Sequence, residues 1–215
     1  SAGFVLQNAI DPIPEHTKPD DCINLVYFST PHRGLDILVP VFDGLMQDHF
    51  KKVEKPIKLH VFSSFNLYGW PERDEQHKQI LQQCKDHPDI VYHGSVSNEE
   101  MRKHLQDMHI LAYPSVWPET SCLVLMEAMS ARLACVHSSF AGLPETAANW
   151  TLMYPVHEDP NAHAQIFAQN LYNAVMMLDD EAFQTRLQMQ KQYCDAFYNW
   201  ETRAMQWKSF LEGLV

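Results

Sequence analysis

The chain has 215 residues, enough for one large domain or two small ones and for a real hydrophobic core. Hydrophobic residues make up 46% and charged residues 20%, an ordinary globular balance, and the net charge of −11 argues against a general nucleic-acid binder, which needs a basic face. No apolar run approaches the roughly 18–20 residues of a membrane span, and no signal peptide is visible. Cys22, Cys84, Cys122, Cys135 and Cys194 are odd in number and contain no C-x-x-C pair. We therefore expect no disulfide framework, a reducing compartment and a cytoplasmic location. The chain starts Ser1-Ala2-Gly3, and we expect it to be a piece of something longer.

Residues 1–20 are dense in proline and charge and read as a linker or tail; residues 21–215 read as one domain. Within it, residues 23–28 form an apolar run suited to a buried strand. Residues 34–50 carry Leu35, Leu38, Val39, Phe42 and Met46 at helical spacing. Strands follow at 58–63, 90–93, 110–113, 133–136 and 151–154. Between them lie helices at 71–85, 97–106 and 121–131, the second opened by a Ser97/Glu100 capping box. Three helices, 161–178, 180–197 and 200–214, close the chain. Apolar strands alternating with helices specify a parallel sheet covered on both faces. The expected fold is a doubly wound, Rossmann-like α/β domain with a helical C-terminal tail.

Ligands of such sheets bind beyond the C-terminal ends of the strands. Two loops there have unusual composition. Ser29-Thr30-Pro31-His32-Arg33-Gly34 follows the first strand; Arg33 offers a forked cation, Thr30 a hydroxyl, and the following helix its free N–H groups. This loop suits a diphosphate; the plainer alternative is a capped turn with a surface arginine. The second loop, residues 114–120, leads into a helix that is apolar on every side except at Glu127. A carboxylate there must face a polar cavity or a partner. Glu119 lies just before the helix, so two carboxylates bracket its first turns. Carboxylates accept from sugar and ribose hydroxyls, and a helix start can hold phosphate; the alternative is a capping carboxylate plus one buried, paired glutamate.

The E-x7-E spacing of Glu119 and Glu127, followed by Ala128-Met129, closely resembles the signature of family 4-like retaining glycosyltransferases. The surrounding frame is similar too. Residues 29–38 (STPHRGLDIL) resemble the phosphate loop, 92–97 the loop whose glycine lies near the nucleobase, Gly142-Leu143-Pro144-Glu145-Thr146 the G-L-P-E turn, 198–207 the closing segment, and Gln7-Asn8-Ala9-Ile10-Asp11 the linker asparagine. The resemblance implies the C-terminal, donor-binding half of a two-domain GT-B fold. It implies Arg33, with Thr30, at the donor diphosphate, Glu119 as the catalytic-site carboxylate on donor-sugar hydroxyls, and Glu127 on the ribose diol. It further implies Thr120, Ser121, Cys122 and Leu123 as backbone N–H donors and Gly94 in the base pocket.

Two departures stand out. Only Arg33 of the usual pair of phosphate cations is present, and Arg132 replaces a customary glycine, which is costly where φ is positive. The twelve histidines form no H-E-x-x-H, and no D-x-D or G-x-G-x-x-G occurs, so neither a metal ion nor a bound cofactor is expected. The expected activity is retaining hexosyl transfer from a nucleotide diphosphate sugar, weak or absent in this chain alone. The acceptor (glycan, lipid or protein) would bind a preceding N-terminal domain. An epimerase or phosphorylase of the same fold, or a non-catalytic donor-binding module, remain the alternatives.

Overall fold

A computed structural model describes residues 4–213; Ser1–Gly3 and Leu214, the last residue of the final predicted helix, lie outside them. Six parallel strands form one sheet: β1 (Ile23–Phe28), β2 (Ile57–Phe62), β3 (Ile90–Tyr92), β4 (Ile110–Tyr113), β5 (Ala134–Ser138) and β6 (Leu152–Tyr154). The spatial order is β3-β2-β1-β4-β5-β6. The chain reverses direction of growth between β1 and β4, so a crevice opens there at the C-terminal strand ends.

Helices α1 (Leu35–Asp48), α2 (Lys78–Asp86), α3 (Asn98–Gln106), α4 (Leu123–Ser130), α5 (Leu143–Ala147), α6 (Pro160–Met177), α7 (Glu181–Phe197) and α8 (Trp200–Glu212) complete the domain. α1 packs on α2 and α6, while α4 packs on α3, α5 and α7. Both sheet faces are therefore covered, and all four residues of β4 are buried, as continuous apolar strands require. In α1 the buried residues Leu35, Leu38, Val39, Phe42 and Leu45 form one stripe.

Three predicted helices come out differently. Residues 34–50 split into α1 and a 3-10 turn, Phe50–Lys52. In the predicted helix 71–85, Pro71–His77 is a 3-10 segment, because the Asp74 carboxylate turns back to accept from Ser64 Oγ (2.5 Å) and Phe65 N (2.8 Å). α4 begins at Leu123, two residues later than expected, since Cys122 is still extended at φ −80°, ψ 103°. The G-L-P-E turn is a short helix, α5. At Ser97 the expected cap is present, with Oγ accepting from Glu100 N at 3.2 Å.

Residues 8–20 run as an extended strap against α3, α4, α7 and α8. Ile10 N donates to Tyr198 O (2.7 Å) and Ile13 N to Ser130 Oγ (2.8 Å). Lys191 Nζ reaches Ile13 O at 2.5 Å, and Ile10 and Ile13 are buried. Lys18 Nζ donates to Met108 O (2.5 Å) and Ala131 O (3.0 Å), capping carbonyls left free past the ends of α3 and α4. On α8 and its approach, Phe197, Trp200 and Trp207 face outward, whereas Tyr198 is core and donates to Thr146 O at 3.0 Å. Among the described residues no helix is long and apolar enough to cross a membrane.

Candidate functional site

Three strand-end loops converge at the crevice. The first follows β1. Pro31–Arg33 makes a 3-10 turn ending on Gly34 at φ 113°, where a side chain is strained. A Cβ there would also stand 2.4 Å from Pro114 O, so glycine lets this loop touch the loop after β4. Tyr27, fully buried in β1, donates to Thr30 O at 2.7 Å and holds the turn from below. Thr30 Oγ1, His32 Nδ1 and Arg33 Nε are buried without a protein partner. Unpaired buried polar atoms are costly and rare, and three fall in this one four-residue stretch.

The second loop follows β4 and carries Glu119. Its Oε1 accepts from Arg33 Nη1 at 2.6 Å and from the Tyr113 hydroxyl at 2.7 Å. Arg33 and Glu119 are 20% and 10% exposed at their side chains, so the pair is largely shielded. Burial opposes the Arg33 charge, but Glu119 and Tyr113 outweigh it and raise the guanidinium pKa. Burial lowers the pKa of His32, with Arg33 adding to the effect, so His32 is neutral at neutral pH. The third loop, after β5, supplies Gly142, whose N–H donates to Glu119 O at 2.8 Å.

Beside these loops lies a cavity of about 370 Å³, within the range of small-ligand sites. Phe28, Phe62, Val96 and Met101 give it apolar walls, and Gly94, Leu123 and Glu127 also line it. Glu127 therefore faces a cavity and also has a distant partner, Arg102 Nη1 at 3.9 Å. Arg102 makes its closer bonds to Asp11 O and Pro12 O. Burial raises the Glu127 pKa, and Arg102 only partly offsets it. A larger hollow of about 650 Å³ opens at the opposite, N-terminal end of the strands. Its Lys18 is occupied with carbonyls, and its His109 is bonded to Asn24 N and Pro19 O. Among the described residues no group of three or more His, Cys, Asp or Glu is placed to hold a metal ion.

The remaining predicted residues surround the start of α4. Thr120 is exposed. Ser121 is engaged by the strap: Asn8 N donates to its Oγ (3.0 Å) and Asn8 Nδ2 to its carbonyl (2.9 Å). Cys122 is buried, and burial pushes its thiol up to about 12, so it stays neutral. Arg33 and Glu119, expected on different parts of a donor, are joined directly. Sequence reasoning missed Tyr113, which reads only as a strand residue. It also missed the cavity wall from β2 and α3, which no local pattern marks.

The glycosyl transferases group 1 family model matches residues 26–173, well over half of the chain. The chain belongs to this family. No curated protein matches it by sequence. Solved structures share its fold at low identity. Sucrose-phosphate synthase from Thermosynechococcus elongatus is 20% identical with TM-score 0.67, over 94% of this chain and 52% of that one. The α,α-trehalose-phosphate synthase (UDP-forming) from Burkholderia vietnamiensis is 12% identical with TM-score 0.69, over 90% and 44%. Anabaena HepE in complex with UDP-glucose is 14% identical with TM-score 0.64, over 90% and 49%. This group 1 glycosyltransferase chain thus spans about half the length of the structures it matches. Its sheet, with E-x7-E at the switch point, is the expected doubly wound GT-B half.

Proposed function

We propose that the crevice binds a nucleotide diphosphate sugar and supports transfer of the sugar, with retention, to an acceptor hydroxyl. The observation that carries this reading is the placement of two carboxylates around the start of α4: Glu127 in an apolar cavity and Glu119 beside Arg33. The base fits between the apolar walls near Gly94, with the ribose diol on Glu127. The diphosphate lies between the Arg33 loop and the free N–H groups that open α4. Glu119 receives the sugar hydroxyls. Arg33 and the helix-start amides can donate to a diphosphate, and binding without a metal ion is part of the proposal. Fixed donors of this kind stabilise a departing diphosphate and an oxocarbenium-like sugar at no reorganisation cost. The departing phosphate takes the acceptor proton. We further propose that an acceptor-binding domain supplies the opposite wall, and that the isolated chain binds donor but transfers slowly.

Calorimetric titration of UDP and GDP in EDTA tests the reading. We expect binding by one of them, and a loss of about 1.5–3 kcal/mol in Arg33→Ala, the range of a charge-assisted hydrogen bond. Plain nucleoside should be much less affected. Binding that appears only with added Mg²⁺ or Mn²⁺ would refute the metal-free site. No binding of either nucleotide would refute the donor site.

A further inference from the structure

Glu119 is useful to a donor sugar only if its carboxylate is already aimed. A free glutamate has three rotatable bonds, and ordering such a side chain on binding costs affinity. Here the ordering is done beforehand, and from one side. Tyr113 Oη and Arg33 Nη1 both donate to Oε1, while Oε2 accepts from no group among the described residues. Two donors on one oxygen settle the rotamer and leave the second oxygen for a ligand.

The two donors are not equivalent. Arg33 sits on a loop, and its unpaired Nε belongs to the same guanidinium that faces the proposed diphosphate. Its hold on Glu119 is shared with the ligand. Tyr113 ends β4, a central strand paired on both sides. It is fully buried, with its ring centroid 5.9 Å from that of Tyr27. Burial pushes its phenol well above the ordinary range, so it remains a donor wherever the protein is folded.

We propose that Tyr113 is the positioning residue that holds Glu119 by Oε1 and presents Oε2 to the donor-sugar hydroxyls. The inference rests on the donor-site function proposed above. It predicts that Tyr113 contributes more to recognition of the sugar than of the nucleotide, because the hydrogen bond its hydroxyl donates goes to Glu119.

The test compares UDP with UDP-glucose, and GDP with GDP-mannose, on the 215-residue chain by calorimetry; the pair that binds wild type is used. Tyr113→Phe keeps the ring and removes the hydroxyl. It should leave nucleoside diphosphate affinity within about twofold and weaken the sugar nucleotide roughly three- to tenfold, the effect of one ordinary hydrogen bond. In a Glu119→Ala background the same change should cost less than about twofold, because its route is gone. Glu119→Asp is the second variant, independent of whether Tyr113→Phe folds. Its shorter stem cannot keep the tyrosine and still offer Oε2, so it should lose the sugar increment and keep the nucleotide one. Equal losses for both ligands, an undiminished effect without Glu119, or an Asp variant with full sugar preference would each overturn the role of Tyr113. If wild type binds none of the four ligands, the donor site itself is wrong and Tyr113 falls with it.

Discussion

Replacing Gly142 with alanine drives a methyl group into the backbone that carries Glu119. Gly142 has φ −82° and ψ 0°, a conformation alanine adopts freely, so backbone strain plays no part. A Cβ at this position would stand 2.3 Å from Thr120 O, 2.8 Å from Glu119 O and 3.0 Å from Thr120 C. All three are main-chain atoms and cannot rotate aside. Restoring ordinary contact requires the 119–120 segment to retreat by roughly 1 Å, an overpacking that costs about 1–3 kcal/mol. For a domain of this size that lowers the melting temperature by about 2–12 °C. The same retreat carries Glu119 away from Tyr113 and Arg33, whose bonds to it measure 2.7 and 2.6 Å. Placement errors of about 1 Å at such sites cost up to two orders of magnitude in rate; in binding we expect about tenfold, confined to the sugar. Thermal melts and titrations with UDP and UDP-glucose check both parts. An alanine variant that melts with wild type and keeps its preference for UDP-glucose would refute the view of this contact as a rigid support.

Glu127→Gln should weaken ribonucleotides more than 2′,3′-dideoxy analogues, and equal losses would return Glu127 to a purely structural role. The same variant should melt at or above wild type at neutral pH. Burial raises the pKa of Glu127 in the fold, so its ionisation is penalised there. That penalty is absent below the unfolded value of about 4.3 and complete above the folded one; the advantage of glutamine should vanish on acidification, and melts across pH check it. Arg132→Gly should stabilise the chain by up to about 1.5 kcal/mol. Arg132 sits at φ 60°, which costs a non-glycine residue about 1–2 kcal/mol, against about 0.5–1 kcal/mol of added unfolded-state entropy. Among the described residues its side chain makes one hydrogen bond, to Gln188 Oε1, long at 3.4 Å. A urea midpoint that rises at constant slope would bear this out, and one that falls would refute it.

Much of this architecture was legible along the chain, because strand burial and helix amphipathicity are properties of contiguous residues. The apolar run 23–28 is β1 to the residue, and the Ser97 cap opens α3. The positive φ at Arg132 agrees with the glycine that the family resemblance led us to expect there. E-x7-E likewise lies within one loop and one helix, so its spacing could be read directly. What the sequence could not determine is what those residues touch. Tyr113 and Glu119 are six positions apart and Arg33 and Glu119 eighty-six, yet all three meet only because the parallel order places β1 beside β4. The strap shows the same limit. Its proline and charge read as linker, but Ile10, Ile13 and Lys18 are held by groups from α3, α4, α7 and the turn before α8, and Asn8 grips Ser121 across 113 residues. Local pattern reports how a segment prefers to fold; which oxygen a distant hydroxyl reaches is decided by the packing of the whole sheet.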